Sequence, residues 1–356
     1  MKVALVNNAW RGTGVGRYVF ELFNEYTRLK KKISMLYINN KFPFGLDDKK
    51  IKDIYSPIKN ALISNFFIYP YKIPKGYDIY HVSNETIAKC CNKRNSVLTI
   101  AALLPFIQNR DNLLKRTLEK IQLSNATRAE KIITFSEATK NHICQELKLE
   151  NKKVEVVYPG VNHSLFRLRS KIKIREKYGL PKDKKIILHV GTEEPRKNVG
   201  TILSALPRII KEVPDVLFIR VGWQSLACKD IIEKYHLKDN VKYMDINTKY
   251  VHEIYNAADV FVFPSYYEGF NFTLAEAISS GLPVVASDIP VNYEVVGRSS
   301  LFCGPFDIEG FERNIVKVLS DYKLAYRLSK VGIRRSSIFT WERAAGQTWK
   351  IYENLC

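Results

Sequence analysis

Short apolar runs, separated by longer amphipathic segments, recur along the whole chain. Residues 2–7, 33–38, 78–82, 96–100, 131–135 and 153–158 are each too short for a helix and rich in β-formers. Their near-continuous apolarity, without alternation, predicts strands covered on both faces, as in a parallel sheet. Helical periodicity fills the gaps. Tyr18, Leu22 and Tyr26 share one face after the first strand, 112–129 reads as a second helix, and 137–149 as a third with Ser136 as its cap. This alternation predicts a doubly wound α/β domain over 1–168. The polar, basic stretch 167–175 is the candidate linker. The pattern restarts with strands at 185–191, 216–221, 241–244, 259–263 and 284–286 and a helix at 250–258, predicting a second α/β domain over 172–338.

One region breaks the rhythm. Residues 42–77 carry prolines at 43, 57, 70 and 74 and read as irregular. Within them the aromatic-rich run from Ile63 to Lys72, flanked by Lys59, Lys72 and Lys75, suits either a membrane interface or a loop folded against the core.

Three loops at strand ends carry candidate chemistry. In the first, a strand ending at Phe263 leads through 265–271 into a helix over 272–280, stopped by Gly281 and Pro283, and then into the next strand. Ligands bind at the carboxyl ends of such βαβ strands, and a helix start with free amides suits a phosphate. Glu268 lies in that loop and Glu276 on the helix. Taken alone, Thr273-Leu274-Ala275-Glu276 also fits a capping box. In the second loop Gly191 is followed by Glu193-Glu194-Pro195-Arg196-Lys197-Asn198, with Asn198 expected to cap the next helix. In the third, Gly12, Gly14 and Gly16 follow the first strand and let a ligand approach the backbone. A nicotinamide enzyme fits poorly here. Arg17 stands where G-x-G-x-x-G needs its third glycine, and the second strand ends in Asn39-Asn40 without an acidic residue for a ribose.

The wording PSxxEGFxxxxxEAxxxGxPVxxS from Pro264 to Ser287, with VGTxEPRKN from Val190 to Asn198, resembles the donor site of retaining glycosyltransferases of family 4. That resemblance implies the GT-B fold, two Rossmann-like doubly wound domains facing across a cleft, with 339–356 as a helix crossing back to the first domain. It implies that Glu276 holds the ribose hydroxyls and that Glu268 lies near the sugar. Gly269, Phe270, Asn271 and Phe272 would surround sugar and diphosphate, and Gly191 and Glu294 would complete the donor contacts. Arg196 and Lys197 would stabilise the diphosphate as it leaves. Gly14, Val15, Gly16 and Arg17 would stand between donor phosphate and acceptor. His81 would lie near the reacting sugar.

Two departures stand out. Asn271 and Thr273 replace the family's second glycine and its proline. Ala101 and Ala102 replace a histidine–aspartate pair at the reacting sugar, and alanine can neither hydrogen-bond a sugar nor carry a proton. Two functions remain open: a mannosyltransferase-like enzyme that moves a hexose to a glycan or polyprenyl-diphosphate-linked hydroxyl, and a catalytically silent sugar-nucleotide-binding subunit.

Charge sharpens the expected partners. Of the net +20, residues 1–169 carry +15 and the remainder +5, a field that attracts polyanions. This favours an anionic, lipid-linked acceptor at a membrane face. No RNP-like or helix-turn-helix pattern accompanies the charge, so specific nucleic acid binding is not expected. There is no Asp-x-Asp, and Arg196 and Lys197 would do a metal's work, so the expected requirements are a GDP- or UDP-linked sugar and no cofactor or metal. The six cysteines lack C-x-x-C spacing, no apolar run approaches the roughly 20 residues of a span, and the chain opens on a strand. These features predict a cytoplasmic protein, peripheral at the membrane.

Overall fold

Thirteen short strands, among the described residues, build two parallel sheets. In this computed structural model those residues are 1–39, 50–56, 58, 60–92, 95–103, 120–121, 123–246 and 250–356. The first sheet holds β1 (Val3–Asn7), β2 (Ile33–Asn39), β3 (Ile51–Tyr55), β4 (Ile79–Val82), β5 (Ser96–Thr99), β6 (Lys131–Thr134) and β7 (Val154–Val156), in the order 3-2-1-4-5-6-7. The second holds β8 (Lys185–Val190), β9 (Val216–Val221), β10 (Val241–Met244), β11 (Val260–Phe263), β12 (Val284–Ser287) and β13 (Ser300–Cys303), in the order 10-9-8-11-12-13. Strands β1, β4, β5, β9, β11 and β12 are buried along their whole length, which is why their sequences do not alternate. Strand order reverses between β1 and β4 in one sheet and between β8 and β11 in the other. Those reversals open the crevices in which α/β sheets take ligands.

The chain divides into two units, Met1–Gly160 with Trp341–Cys356, and Val161–Thr340. In the first, helix Gly14–Arg28 and the last helix, Trp341–Glu353, pack together: Tyr26 donates to the Ala345 carbonyl at 3.1 Å and Arg28 pairs with Glu342 at 3.0 Å. Tyr18, Tyr26 and Tyr352 are fully buried at this seam. Ser136 does cap helix Glu137–Leu147, accepting from the Thr139 amide at 3.1 Å.

Several expectations need correction. Residues 42–77 are not irregular throughout. Ile51–Tyr55 joins β2 in parallel, and 61–72 is a helical run with a π-turn at Ser64–Ile68. β3 lies at the sheet edge with three of its five residues exposed, so it lacks the apolar signature of a buried strand. In the aromatic run Tyr69 is buried whereas Phe67 and Tyr71 are exposed. The candidate linker 167–175 is not a free tether. Lys171–Lys177 is helical, and Arg175 is buried in the second unit, donating to the carbonyls of Ala257, Lys182 and Lys184 and to Asp259 at 2.8–2.9 Å. A guanidinium can satisfy that many acceptors at once, so a basic stretch becomes core. The helix expected over 112–129 falls mostly outside the described residues, and the part that remains ends in the 3-10 turn Asn125–Arg128. The helix expected over 250–258 is only Val251–Ile254.

Candidate functional site

At the β8/β11 reversal of the second sheet, two loops bring opposite charges together. The loop after β8 ends in the single 3-10 turn Pro195–Lys197, and the loop after β11 carries Glu268. Lys197 Nζ lies 2.6 Å from Glu268 Oε1, and Arg196 Nη1 lies 2.8 Å from Glu268 Oε2. The Glu268 side chain keeps 7% of its exposure, Arg196 11% and Lys197 16%. Arg196 also pairs with Glu194 at 3.0 Å, and its carbonyl accepts the Tyr266 amide. Both cations are therefore held in place, with little water around them, before any ligand arrives. Fixed, poorly solvated cations at a helix start suit an anion.

The turn is locked by Asn198, though not as expected. Its backbone is left-handed (φ 52°) and its side chain caps no amide of helix Val199–Glu212. Instead Nδ2 donates to the carbonyls of Pro264 (3.2 Å) and Pro305 (2.5 Å), tying the cationic loop to the loops after β11 and β13. Asn takes a left-handed backbone more readily than most residues, which explains its use here.

Beneath this loop lies a charged network that sequence reading missed. Arg220, next to the carboxyl end of β9, is fully buried. Its Nε donates to Glu193 at 3.1 Å, its Nη1 to the His189 carbonyl at 3.1 Å and to His189 Nδ1, and its Nη2 to the Gly191 carbonyl at 3.1 Å. Glu193 also accepts from Tyr243 Oη and the Ser225 amide, both at 2.6 Å. Burial would raise the Glu193 carboxyl, but those hydrogen bonds bring it below its ordinary value. His189 is pushed well below its ordinary value by burial and then by Arg220 and Lys197, so it is a neutral ring. The network joins the ends of β8, β9 and β10 to the start of helix Leu226–Lys234. Gly191 and Gly222 close it, both with left-handed φ (144° and 136°). A Cβ at Gly222 would meet the Gly191 carbonyl oxygen at 2.3 Å. The available signal was an arginine inside the otherwise apolar strand 216–221.

The other donor-loop residues follow. Helix Phe272–Ser279 starts from Asn271, not Thr273, so the capping-box reading of Thr273–Glu276 does not describe this helix start. The Glu276 side chain is buried and accepts from Tyr255 Oη at 2.8 Å. Asn271 is buried and donates to Asn292 Oδ1, and Asn292 in turn donates to the Ser287 carbonyl at 2.9 Å. Gly269 and Phe270 are buried beside it, and the Phe270 and Phe272 rings meet edge-on at 5.3 Å. Glu294 is half-buried on helix Pro290–Val296, and its carbonyl accepts from Arg335.

In the first unit, Thr13 caps helix Gly14–Arg28, its Oγ1 accepting from the Gly16 amide at 3.1 Å and donating to the Trp10 carbonyl at 2.8 Å. A Cβ at Gly16 would lie 1.9 Å from that carbonyl oxygen, so only glycine fits. Gly14 is exposed at the helix start, and Val15 and Arg17 are half-buried. Ala101 and Ala102, half-buried, follow β5. His81 differs from expectation. It is buried, with Nδ1 at 2.5 Å from Tyr352 Oη and Nε2 at 2.7 Å from Thr99 Oγ1, and burial lowers it to about 3. Both ring nitrogens are engaged, so His81 secures the last helix to the sheet and presents neither nitrogen to a sugar. Among the described residues no cluster of His, Cys, Asp or Glu could hold a metal ion.

Comparison with known proteins places this geometry. A model described as glycosyl transferases group 1 matches residues 170–335, and one described as Glycosyltransferase Family 4 matches 12–165. The O-antigen chain mannosyltransferase B of Escherichia coli is 31% identical over 173 residues, 47% of this chain and 45% of that protein. The O-antigen chain mannosyltransferase RfbU of Salmonella typhimurium is 25% identical over 228 residues, 63% of this chain and 61% of that protein. The chain thus spans about half to three fifths of the length of these relatives. Among solved structures, sucrose-phosphate synthase from Thermosynechococcus elongatus superposes with a TM-score of 0.83 at 23% identity, covering 99% of this chain and 98% of that one. Anabaena HepE, solved in complex with UDP and glucose, gives 0.78 at 17% identity, covering 98% and 99%. The fold is GT-B, the two models divide nearly the whole chain between them, and the chain belongs to glycosyltransferase family 4.

Proposed function

We propose that this protein is a retaining, metal-independent glycosyltransferase that moves a hexose, with mannose favoured, from a GDP- or UDP-linked donor to a glycan or polyprenyl-diphosphate-linked hydroxyl. The observation that carries the reading is the Arg196–Glu268–Lys197 cluster at the β8/β11 reversal. Breaking the bond between sugar C1 and phosphate oxygen leaves an anionic diphosphate, and the two cations stabilise charge as it develops. The acceptor oxygen bonds to C1 on the same face, and its proton passes to the departing phosphate oxygen. Cations supplied by the protein take the place a metal would fill. Glu268, which fixes both cations, also has lone pairs for a sugar hydroxyl, and the buried Glu276 is suited to the ribose hydroxyls. Named relatives support the sugar: two are O-antigen chain mannosyltransferases. HepE, solved with UDP and glucose, keeps UDP in contention.

The membrane side of the reading rests on the excess charge of residues 1–169 and on exposed Ile63, Phe67 and Tyr71, spaced four apart along the helical run 61–72. Lys89 lies over both Phe66 and Phe67 there, at 5.4 and 4.9 Å from the ring centres. Such a face suits an anionic lipid surface. Among the described residues no helix is long and apolar enough to cross a membrane.

The experiment is thermal stabilisation by a panel of nucleotides and nucleotide-sugars, with donor turnover measured beside it. It is run on the protein and on the double substitution Ala101→His, Ala102→Asp. Stabilisation by one base names the donor, and turnover by the unsubstituted chain supports the enzyme. Donor binding with turnover only after substitution means a silent subunit, the reading that Ala101-Ala102 favours. No stabilisation by any nucleotide refutes both.

A further inference from the structure

The β1/β4 reversal of the first sheet carries a polar ledge that the donor chemistry leaves unused. Asn7 ends β1 buried and holds Ala9 by two 3.0 Å hydrogen bonds, so the chain turns away immediately beyond the strand. Asn8 Nδ2 then donates to Thr86 Oγ1 at 3.0 Å, Asn84 Nδ2 to Asn8 Oδ1 at 2.5 Å, and Thr86 Oγ1 to Asn84 Oδ1 at 2.5 Å. Glu85, half-buried, lies in the chain between Asn84 and Thr86. Among the described residues no cation pairs with its carboxyl group, and burial, eased only by its own backbone amide, pushes it up to about 7. A half-buried carboxyl without a counterion costs stability and adds nothing to packing that an apolar residue would not.

Sheet order puts the segment after β4, with Glu85, next to the segment after β5, with Ala101-Ala102, at one edge of the first sheet. β4 and β5 are hydrogen-bonded neighbours with Val82 opposite Leu98. Glu85 and Ala101 each stand three residues beyond that pair, so both leave the same edge of the sheet. Ala101-Ala102 give that edge no group able to hold a hydroxyl. We propose that Glu85, with Asn8, Asn84 and Thr86, forms a hydroxyl-binding subsite that takes a neutral hexopyranose ring, with Glu85 orienting one of its hydroxyls. Among the described residues no lysine or arginine enters the hydrogen bonds of the ledge, so it suits sugar hydroxyls and not a phosphate. Near neutral pH the carboxyl can both donate and accept, which matches a hydroxyl that does the same. In the reading above this ring belongs to the acceptor, and to that extent the inference rests on it.

Binding is measured by saturation-transfer NMR on the full chain with methyl α-mannopyranoside, α-glucopyranoside, α-galactopyranoside and N-acetyl-α-glucosaminide. Saturable binding of at least one is expected, weakened tenfold or more by Glu85→Ala and only a few-fold by Glu85→Gln. With donor present, Glu85→Gln should raise the KM of that glycoside and leave the donor KM unchanged, a split that a purely structural role would not produce. Folding is checked by melting. A raised carboxyl opposes folding increasingly as pH rises from the unfolded value of about 4.5 toward 7, so Glu85→Gln should melt higher than the parent at pH 8 but not at pH 4. Should Glu85→Ala fail to fold, Glu85→Gln carries the comparison. No saturable binding of any glycoside, or wild-type affinity and KM in both variants, overturns the proposal. Glycoside binding through Glu85 in a chain that binds no nucleotide would instead refute the donor reading and leave the subsite standing.

Discussion

Arg220→Met is the sharpest test of how the donor loop is held. The substitution keeps an unbranched apolar stem of similar reach but removes a guanidinium that donates to Glu193, the His189 carbonyl, His189 Nδ1 and the Gly191 carbonyl. Both side chains of the Arg220–Glu193 pair have no exposure at all, so the remaining carboxylate cannot turn to water. Breaking one partner of a buried ion pair costs about 3–5 kcal/mol. Tyr243 and the Ser225 amide still hydrogen-bond Glu193, which places the expected loss toward the lower end, roughly 3 kcal/mol, or more than a hundredfold in the folded ratio. Adding Glu193→Leu removes the stranded charge, so the double variant should recover about 2 kcal/mol of that loss. Unfolding of a two-unit chain is not expected to be two-state, so the second unit must be followed by itself. Trp223 is its one tryptophan, the others being Trp10, Trp341 and Trp349. Fluorine NMR of 5-fluorotryptophan protein in a urea series therefore resolves it. A single-variant midpoint equivalent to less than about 1 kcal/mol of loss would refute the buried-pair reasoning. So would a double variant whose loss equals the sum of the singles, because coupled partners do not add. The Arg220→Met chain, where folded, should also show weaker nucleotide stabilisation, since loop 192–197 loses its anchor at Gly191 and Glu193 while Asn198 and Glu268 still hold its far end.

Three further outcomes are expected. Glu268→Ala frees Arg196 and Lys197 from the carboxylate that orients them; donor turnover should fall at least a hundredfold, while binding of the free nucleoside diphosphate, read by calorimetry, changes far less because both cations remain. Gly16→Ala sets a Cβ 1.9 Å from the Trp10 carbonyl oxygen, and the forced backbone shift should lower stability by about 1–3 kcal/mol, read as a drop in melting temperature. His81 and His189 are held neutral in the folded state. Their folded values lie below the unfolded one of about 6.5, so protonation favours the unfolded chain; stability should be complete above pH 6.5 and decline below it, for His81 down to about 3. Melting curves from pH 7.5 to 4 test this, and His81→Gln should flatten part of the slope.

Much was legible in the order of residues because parallel strands buried on both faces have little freedom of composition. Runs such as Val260–Phe263 and Val284–Ser287 announce themselves, and loops between such strands must hold the ligand chemistry. The same local logic exposed the Glu268–Glu276 helix start, the Arg196-Lys197 turn and the Gly12–Gly16 loop. Where burial is partial, the pattern fades. β3 sits on an edge with three of its five residues exposed and none buried, and it was read as irregular. Long-range pairing is invisible in one dimension. Arg175 looked like part of a linker until Asp259 and four carbonyls surrounded it, and His81 looked available until Tyr352, 271 positions away, took one of its nitrogens.

By itself, then, the sequence determined two things: a chain of buried strands alternating with helices, and the residue types at the strand ends that can hold a nucleotide-sugar. Tertiary structure alone decided which charges meet. It placed Arg196 and Lys197 on Glu268 across the β8/β11 reversal, drew Arg220 onto Glu193 beneath them, and set the segments after β4 and β5, with Glu85 and Ala101, at one edge of the first sheet. The physical reason is that apolar burial follows local pattern, residue by residue. The partner of a buried charge is chosen by sheet order and register, which no local segment contains.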